Sequence, residues 1–132
     1  MALTFAAQVK AFQDKTMERI TAVVRQSCQD VIGDAQRPVG DGGRLPVDTG
    51  NLRNNVTTEI VGGASAKGGD AYVLVIAQME AGDTIRHSYH AEYAPHVEYG
   101  ARGRRPRFFV RGATERWQEF VAQNVSRVAG GR

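Results

Sequence analysis

The chain has 132 residues, which is the size of one domain. Hydrophobic residues make up 42% of it and charged residues 23%, a composition typical of a folded globular protein that excludes wholesale disorder. No apolar run approaches the roughly 18 residues of a membrane span, and the first residues lack the positive segment of a secretory signal. Because Cys28 is the only cysteine, an internal disulfide and a multi-cysteine zinc site are excluded. We expect a single intracellular domain over residues 1–132.

The net charge of +3 is unevenly distributed along the chain. Residues 1–100 carry nine basic and twelve acidic side chains, whereas residues 101–132 carry eight arginines and two glutamates. The first part therefore has a net charge of −3 and the last part a net charge of +6. Positive charge concentrated in the last quarter indicates a contact with nucleic acid or with an acidic protein, or else a solvated basic tail.

The first element is a long amphipathic helix predicted over residues 4–32. Its apolar side chains recur at steps of three and four, which places them on one stripe. Thr4 is the predicted N-cap and Gly33 the predicted C′ residue. The stripe consists of Phe5, Val9, Phe12, Ile20, Val23, Val24, Cys28, Val31 and Ile32.

Residues 33–46 are predicted to be a loop, since glycine and proline suppress both helix and sheet. A short helix follows, with Asp48 as its N-cap and with Val47 and Leu52 forming a hydrophobic staple. This helix leads into a strand predicted near Val56–Val61.

The middle of the chain is predicted to be an antiparallel sheet. Gly62–Gly69 is flexible by composition and is placed at the tip of a hairpin. Ala71–Ala77, rich in aromatic and β-branched residues, gives the strongest strand signal in the chain. A turn at Ala81–Asp83 then returns the chain into a weaker strand over Thr84–Tyr89.

The last quarter is predicted to be helical around a basic loop. Ala94–Tyr99 forms one helical turn closed by Gly100, residues 101–107 form an arginine-rich loop, and a second amphipathic helix covers about 108–129. The fold class is therefore α+β, with both long helices packed on a sheet of three to four strands. The apolar face of the last helix consists of Phe109, Ala113, Trp117, Phe120, Val121, Val125 and Val128.

His87, His90 and His96 fall within ten residues, together with Glu92 and Glu98. Imidazoles and carboxylates at this density can bind a divalent metal or transfer protons, so a metal-dependent hydrolase is one alternative function. The spacing matches neither a His-x-x-x-His pair nor a zinc finger, and a strand would point His87 and His90 to opposite faces. We therefore predict packing and surface roles, with no metal, no cofactor and no catalytic residue.

The densest charge cluster is Arg102-Gly103-Arg104-Arg105-Pro106-Arg107. Guanidinium groups grip phosphates and carboxylates through paired hydrogen bonds, while glycine and proline keep this segment out of regular structure. A small DNA-binding protein is therefore a second alternative function, although no aromatic residues are interleaved for stacking on bases. The composition does not choose between DNA, an acidic protein and solvent.

Three segments, in this order, resemble one family of proteins. Pro46–Arg53 is similar to a P-V-D-T-G-x-L-R motif, Tyr93–Gly100 to Y-A-x-x-V-E-x-G, and Pro106–Ala113 to the start of a closing helix. The family is that of the tail-completion, neck or minor tail proteins of tailed phages. With the first helix included, the resemblance covers almost the whole chain.

The resemblance implies a non-enzymatic virion component made in the bacterial cytoplasm. It implies a homo-oligomeric ring, hexameric or alternatively dodecameric, that joins the head connector to the tail tube around the DNA path. The expected partners are other copies of the chain, the adjacent connector, stopper, terminator or tail-tube proteins and the viral DNA, without a membrane. A closed ring needs a heterologous interface, in which one patch meets a different patch of the next copy.

For this interface we expect the residues after Pro46 to set a cap and turn at one edge of the sheet. We expect the residues of the second segment to anchor the short helix. In addition, we expect Glu98 to pair with an arginine of another subunit's 102–107 loop. The candidates are Asp48, Thr49, Gly50, Leu52, Arg53, Tyr93, Val97, Glu98, Tyr99, Gly100, Arg102, Arg104, Arg105 and Arg107.

Overall fold

The computed structural model describes residues 4–47 and 50–130 and has the predicted α+β architecture. A 3-10 turn at Val39–Asp41 and a three-stranded sheet separate the long first helix from the last ones. Within the described ranges, no helix is both long and apolar enough to cross a bilayer. The elements in chain order are α1 (Phe5–Ala35), α2 (Asn51–Asn54), β1 (Val56–Ile60), β2 (Ser65–Lys67), α3 (Ala71–Ile76), β3 (Ile85–Tyr89), α4 (Ala94–Tyr99), α5 (Phe109–Thr114) and α6 (Trp117–Gly130).

Helix α1 begins as predicted and ends later than predicted. The Thr4 hydroxyl accepts a hydrogen bond from the backbone N–H of Ala7 at 3.1 Å, which confirms the N-cap. The helix continues through Gly33 to Ala35, so the prediction that Gly33 is the C′ residue is wrong. The cause is tertiary: the C-cap residue Gln36 is buried, and its side chain donates to the backbone oxygen of Gly69 at 2.9 Å.

The sheet has the order β2-β1-β3, and both pairs are antiparallel. The strands predicted near Val56–Val61 and Thr84–Tyr89 are confirmed as β1 and β3. The prediction that Gly62–Gly69 is a flexible linker is wrong in part, because this segment contains β2. Its three strand residues pair with β1, so only the residues before them form the turn of the hairpin.

The prediction that Ala71–Ala77 is a strand is wrong, because this segment is helix α3. Tyr72 packs against the core, and Val75, Ile76 and Met79 are buried in it. These positions are three or four residues apart, which is the spacing of one helical face. Tertiary packing on β1 and α1 therefore overrides the local preference of β-branched residues for strands.

The core consists of two clusters joined by a row of aromatic rings. The rings of Tyr72, His87, Tyr89 and Phe109 meet edge to face, with centroid distances of 6.5, 5.0 and 5.0 Å. Tyr72 packs against the first cluster and Phe109 belongs to the second, so β3 carries the connection between them. The first cluster consists of Ile32, Ile60, Val75, Ile76 and Met79, and the second of Leu45, Leu52, Ala91, Ala94 and Phe109.

The single C-terminal helix predicted over 108–129 is interrupted at residues 115–116, between α5 and α6. Phe109, Ala113 and Phe120 of the predicted apolar face are buried, but Trp117 and Val125 are exposed. In α6 a polar residue, Asn124, is buried together with Phe120. Its side-chain amide donates to Ser27 at 3.1 Å and to Asp30 at 2.9 Å, so part of the contact between α1 and α6 is polar.

The apolar stripe of α1 is covered only in its second half. All buried residues of this helix lie between Ser27 and Ala35, and residues 8–20 are all exposed. Phe5 is 81% exposed and Phe12 is 73% exposed. The expectation that the whole stripe packs on the sheet is therefore wrong for the projecting half of α1, residues 5–20.

Candidate interaction surface

The three segments that carry the family resemblance meet in one place. Leu52 from the first, Ala94 from the second and Phe109 from the third are buried in the second core cluster, and Val97 packs against it. The backbone N–H of Arg107 also donates to the Val97 oxygen at 2.9 Å. Residues more than fifty positions apart in the sequence thus form one packed unit.

Glu98 has a structural role within this unit instead of the predicted role between subunits. It is 5% exposed, and its two carboxylate oxygens accept from the backbone N–H groups of Val110 at 2.9 Å and Arg111 at 2.8 Å. Phe108 stands at the N-cap of α5 without a capping side chain, so the carboxylate of α4 caps α5 from outside. The expected pairing of Glu98 with another subunit's arginine is therefore corrected, since both oxygens are engaged.

The first segment is described only in part, because Asp48 and Thr49 lie outside the described residues. Helix α2 begins at Asn51, and Gly50 occupies the N-cap position with φ = 83°. The capping role predicted for Asp48 therefore lies outside the described residues. Val47 is exposed and is not part of the cluster around Leu52, so the hydrophobic staple does not form.

Arg53 is the polar residue that holds this segment in place. Its Nε donates to the Gln36 backbone oxygen at 3.0 Å, and its Nη2 lies 3.1 Å from an Asp70 carboxylate oxygen. The segment leads into β1, which is the central strand, and not to an edge of the sheet as expected.

The arginine turn, residues 101–107, is the strongest exposed charge in the described chain. Arg102, Arg104, Arg105 and Arg107 are all exposed, and within the described ranges their guanidinium groups have no hydrogen-bond or ion-pair partner. The backbone is nevertheless fixed, since the Arg104 N–H donates to the Ala101 oxygen at 3.0 Å. The turn therefore presents four unneutralised positive charges on an ordered backbone.

Gly100 is required where α4 passes into the arginine turn. Its φ of 82° lies in the region that favours glycine, and an added Cβ would lie 2.7 Å from the Arg104 backbone oxygen. Tyr99, which precedes it, is 69% exposed, and Tyr93 at the start of α4 is also exposed. Of the three residues expected to anchor this helix, only Val97 packs inward.

The three histidines occupy separate positions in the fold. His87 Nδ1 is 2.8 Å from the Thr58 hydroxyl and His90 Nε2 is 2.8 Å from the Thr57 hydroxyl, so the two rings lie on opposite faces of the sheet as predicted. Burial lowers the pKa of His87 to about 4, which keeps its ring neutral at pH 7. In the part of the chain that the structure describes, no three His, Cys, Asp or Glu side chains are grouped to hold a metal ion.

A buried ion-pair cluster, which the sequence patterns did not indicate, joins the unit to α1. Asp34 is 3% exposed and contacts Arg44, and Arg116 Nη1 lies 2.9 Å from its carboxylate. An added Cβ at Gly112 would lie 2.5 Å from Arg44 Nε, so glycine makes room for this guanidinium. Asp34 falls in the predicted loop over residues 33–46, and its partners Arg44 and Arg116 are 10 and 82 residues away, so no local pattern indicates this cluster.

We call the arginine turn, together with the exposed tyrosines at the two ends of α4, Tyr93 and Tyr99, the basic face. Comparisons of the chain with models of known protein families, with curated proteins and with solved structures gave no match.

Proposed function

We propose that the protein is a non-enzymatic structural subunit of a tailed-phage virion. In this function it forms the ring that joins the head connector to the tail tube. The observation that carries the proposal is the packing of the three family-like segments against one another. Three unrelated local similarities would have no reason to meet in one core cluster, whereas segments that define a common fold do.

The residues that form this unit are among those that carry the resemblance. Leu52, Ala94 and Phe109 are three of the five residues of the cluster, and Glu98 caps α5. The matched motifs therefore correspond to contacts that determine how the chain folds. This favours a shared architecture over a chance similarity of composition.

The exposed surfaces also support a protein that works by docking. The arginine turn carries four charges without a partner in the described chain, and Phe5 and Phe12 are exposed on α1. Monomeric proteins rarely expose large contiguous apolar patches unless these contact a partner. A ring subunit needs two different patches of this kind, one for each neighbour.

The test is a nonsense allele of this gene in the phage or prophage that carries it. We expect DNA-filled heads and free tails to accumulate as separate particles in electron micrographs. A wild-type copy supplied from a plasmid should restore joined, infectious particles, and mass spectrometry should find the protein in purified virions. Joined, infectious particles made without the protein would refute the proposal.

A further inference from the structure

We infer that the projecting half of α1 is the docking site for a helix of a different protein, whose apolar seam is bordered by acidic side chains. The packing of α1 alone supports this inference, so it goes beyond the proposed function and does not depend on it. Three properties of the projecting half select this partner. These are its position in line with α6, the narrow width of its apolar stripe and the charge along one edge of that stripe.

The apolar stripe lies in line with the surface on which α6 already packs. In the second half of α1, Ser27 and Asp30 accept hydrogen bonds from Asn124 of α6, at 3.1 and 2.9 Å. At 3.6 residues per turn, these two residues lie on one side of α1, about 60° apart. The stripe of the projecting half lies on the same side, within an arc of about 80°. Its exposed members are Phe5, Val9, Phe12 and Ile20. A helix laid end to end with α6 would therefore cover them.

The stripe has the width of a helix–helix seam. With Thr16 included, its members follow at steps of four, three, four and four residues, close to the alternation of four and three in a coiled coil. The Thr16 hydroxyl donates to the Phe12 backbone oxygen at 2.9 Å, so it is satisfied within the helix. Gln8 and Gln13 border the stripe on its two sides, and Met17 lies beyond Gln13 in a separate groove. A helix that packs on a core or enters a lipid surface presents an apolar face of roughly 100° or more, so the narrower stripe favours a single partner helix.

One edge of this seam is basic. Lys15 and Arg19 lie along the edge that contains Gln8, and both are exposed. Neither has an ion-pair partner within the described ranges. Asp14 and Glu18 lie on the opposite side of α1, about 160° from the middle of the stripe, so they do not neutralise this edge. Charges beside a helix–helix seam determine which partner fits, so the facing positions of the partner favour aspartate or glutamate.

A second copy of the chain does not provide this partner. In an antiparallel pair of projecting halves the same edges meet, so Lys15 and Arg19 of the two copies would repel each other. A parallel pair would place the basic edge beside Gln13, which offers no charge. The helices α2, α3, α4 and α5 have six residues or fewer, which is too short to cover the stripe, and α6 packs on α1 of its own chain. Among the described helices there is thus no acidic occupant, and the partner is a different protein.

The test uses two synthetic peptides as probes for the full-length protein. Both have three heptads with isoleucine and leucine at the seam positions; the acidic probe has glutamate beside the seam, and the basic probe has lysine there. We expect the wild type to bind the acidic probe about tenfold more tightly than the basic probe, as measured by fluorescence anisotropy of the labelled peptides. Physiological salt is used, because it screens charges more than about 8 Å from the contact. Circular dichroism should show that the acidic probe gains helix when it binds.

A charge reversal tests which edge of the protein meets the probe. Lys15→Glu with Arg19→Glu should reverse the preference, so that this variant binds the basic probe more tightly than the acidic one. The matched control is Arg104→Glu with Arg105→Glu, which changes the net charge equally on the arginine turn. This control should keep the wild-type preference, because the turn lies outside the stripe.

The apolar contact has its own control pair. Phe12→Glu should abolish the binding of both probes, whereas Leu74→Glu should leave it unchanged, because Leu74 is 70% exposed but lies on α3, outside the seam. Both positions are exposed, so circular dichroism should show a folded chain in each case.

Four results with the probes would overturn the inference. These are no binding of either probe, equal binding of both probes, a preference that the Lys15 and Arg19 reversal leaves unchanged, and equal effects of Phe12→Glu and Leu74→Glu. A preference lost in the arginine-turn control would assign the acidic probe to that turn and would also overturn it. Binding to vesicles of phosphatidylcholine and phosphatidylglycerol, or self-association in sedimentation velocity, would assign the stripe to lipid or to a second copy if Phe12→Glu abolishes it. If the nonsense allele separates heads from tails and the probes fail, only the docking site is wrong and the proposed function stands.

Discussion

Replacing Glu98 tests whether this residue serves the fold or an interface. Its carboxylate accepts two backbone N–H groups at 2.9 and 2.8 Å while it is 5% exposed. A hydrogen bond to a charged group contributes about 1.5–3 kcal/mol net, and an unsatisfied buried donor has a similar cost. In Glu98→Gln one oxygen still accepts, but the new NH₂ group faces the second N–H, so we expect the free energy of unfolding to fall by about 2 kcal/mol. Glu98→Ala loses both bonds and should cost about 3 kcal/mol.

The assay is equilibrium unfolding in urea at pH 7, followed by far-ultraviolet circular dichroism. The denaturant slope should stay the same, since the loss is local and does not change the surface exposed on unfolding. Glu92→Gln is the matched control: Glu92 is an exposed glutamate six residues earlier, and we expect a change below about 0.5 kcal/mol. If Glu98→Gln is as stable as wild type but loses self-association, the capping role is wrong and the intersubunit role is restored.

Three other substitutions test the polar packing, the pH dependence and a close backbone approach. Asn124→Ala removes two hydrogen bonds from α6 to α1 and should lower the free energy of unfolding by about 2 kcal/mol in guanidinium titrations. Because the pKa of His87 is lowered to about 4, the unfolded chain takes up its proton first as the pH falls. The free energy of unfolding should therefore fall by up to about 3 kcal/mol between pH 6.5 and pH 4. In paired urea titrations, His87→Phe should remove that loss. Gly43→Ala would place a Cβ 2.0 Å from the Arg37 backbone oxygen and should cost about 3 kcal/mol in thermal unfolding, whereas Gly40→Ala meets nothing within 4 Å and should be neutral.

Sequence patterns predict the elements of this fold well where local chemistry decides them. Thr4 caps α1 and Gly100 closes α4 as expected, because a capping hydroxyl and a positive φ each depend on a few adjacent residues. The arginine turn is likewise outside regular structure, as its glycine and proline predict. Such signals need no knowledge of the rest of the chain.

Sequence patterns fail where the conformation of a segment depends on a surface that is distant in the sequence. Ala71–Ile76 has strand propensity, yet α1 and β1 offer a surface that a helix fills, and the spacing of Tyr72, Val75, Ile76 and Met79 was the available sign. Glu98 could not be assigned to its cap from the sequence, because its partners lie 12 and 13 residues away on another helix. Its charge alone favours an exposed ion pair as readily as a buried cap.

The stripe on α1 illustrates a more general limit of hydrophobic periodicity. A regular stripe predicts which side chains are to be buried, but it does not specify the molecule that buries them. Between Ser27 and Ala35 the same chain supplies the cover, through α3, α5 and α6. From Phe5 to Ile20 the pattern is equally regular, and these residues stay exposed in the single chain. A core that is complete at one end of a helix and open at the other is what a subunit requires when its last contacts form only on assembly.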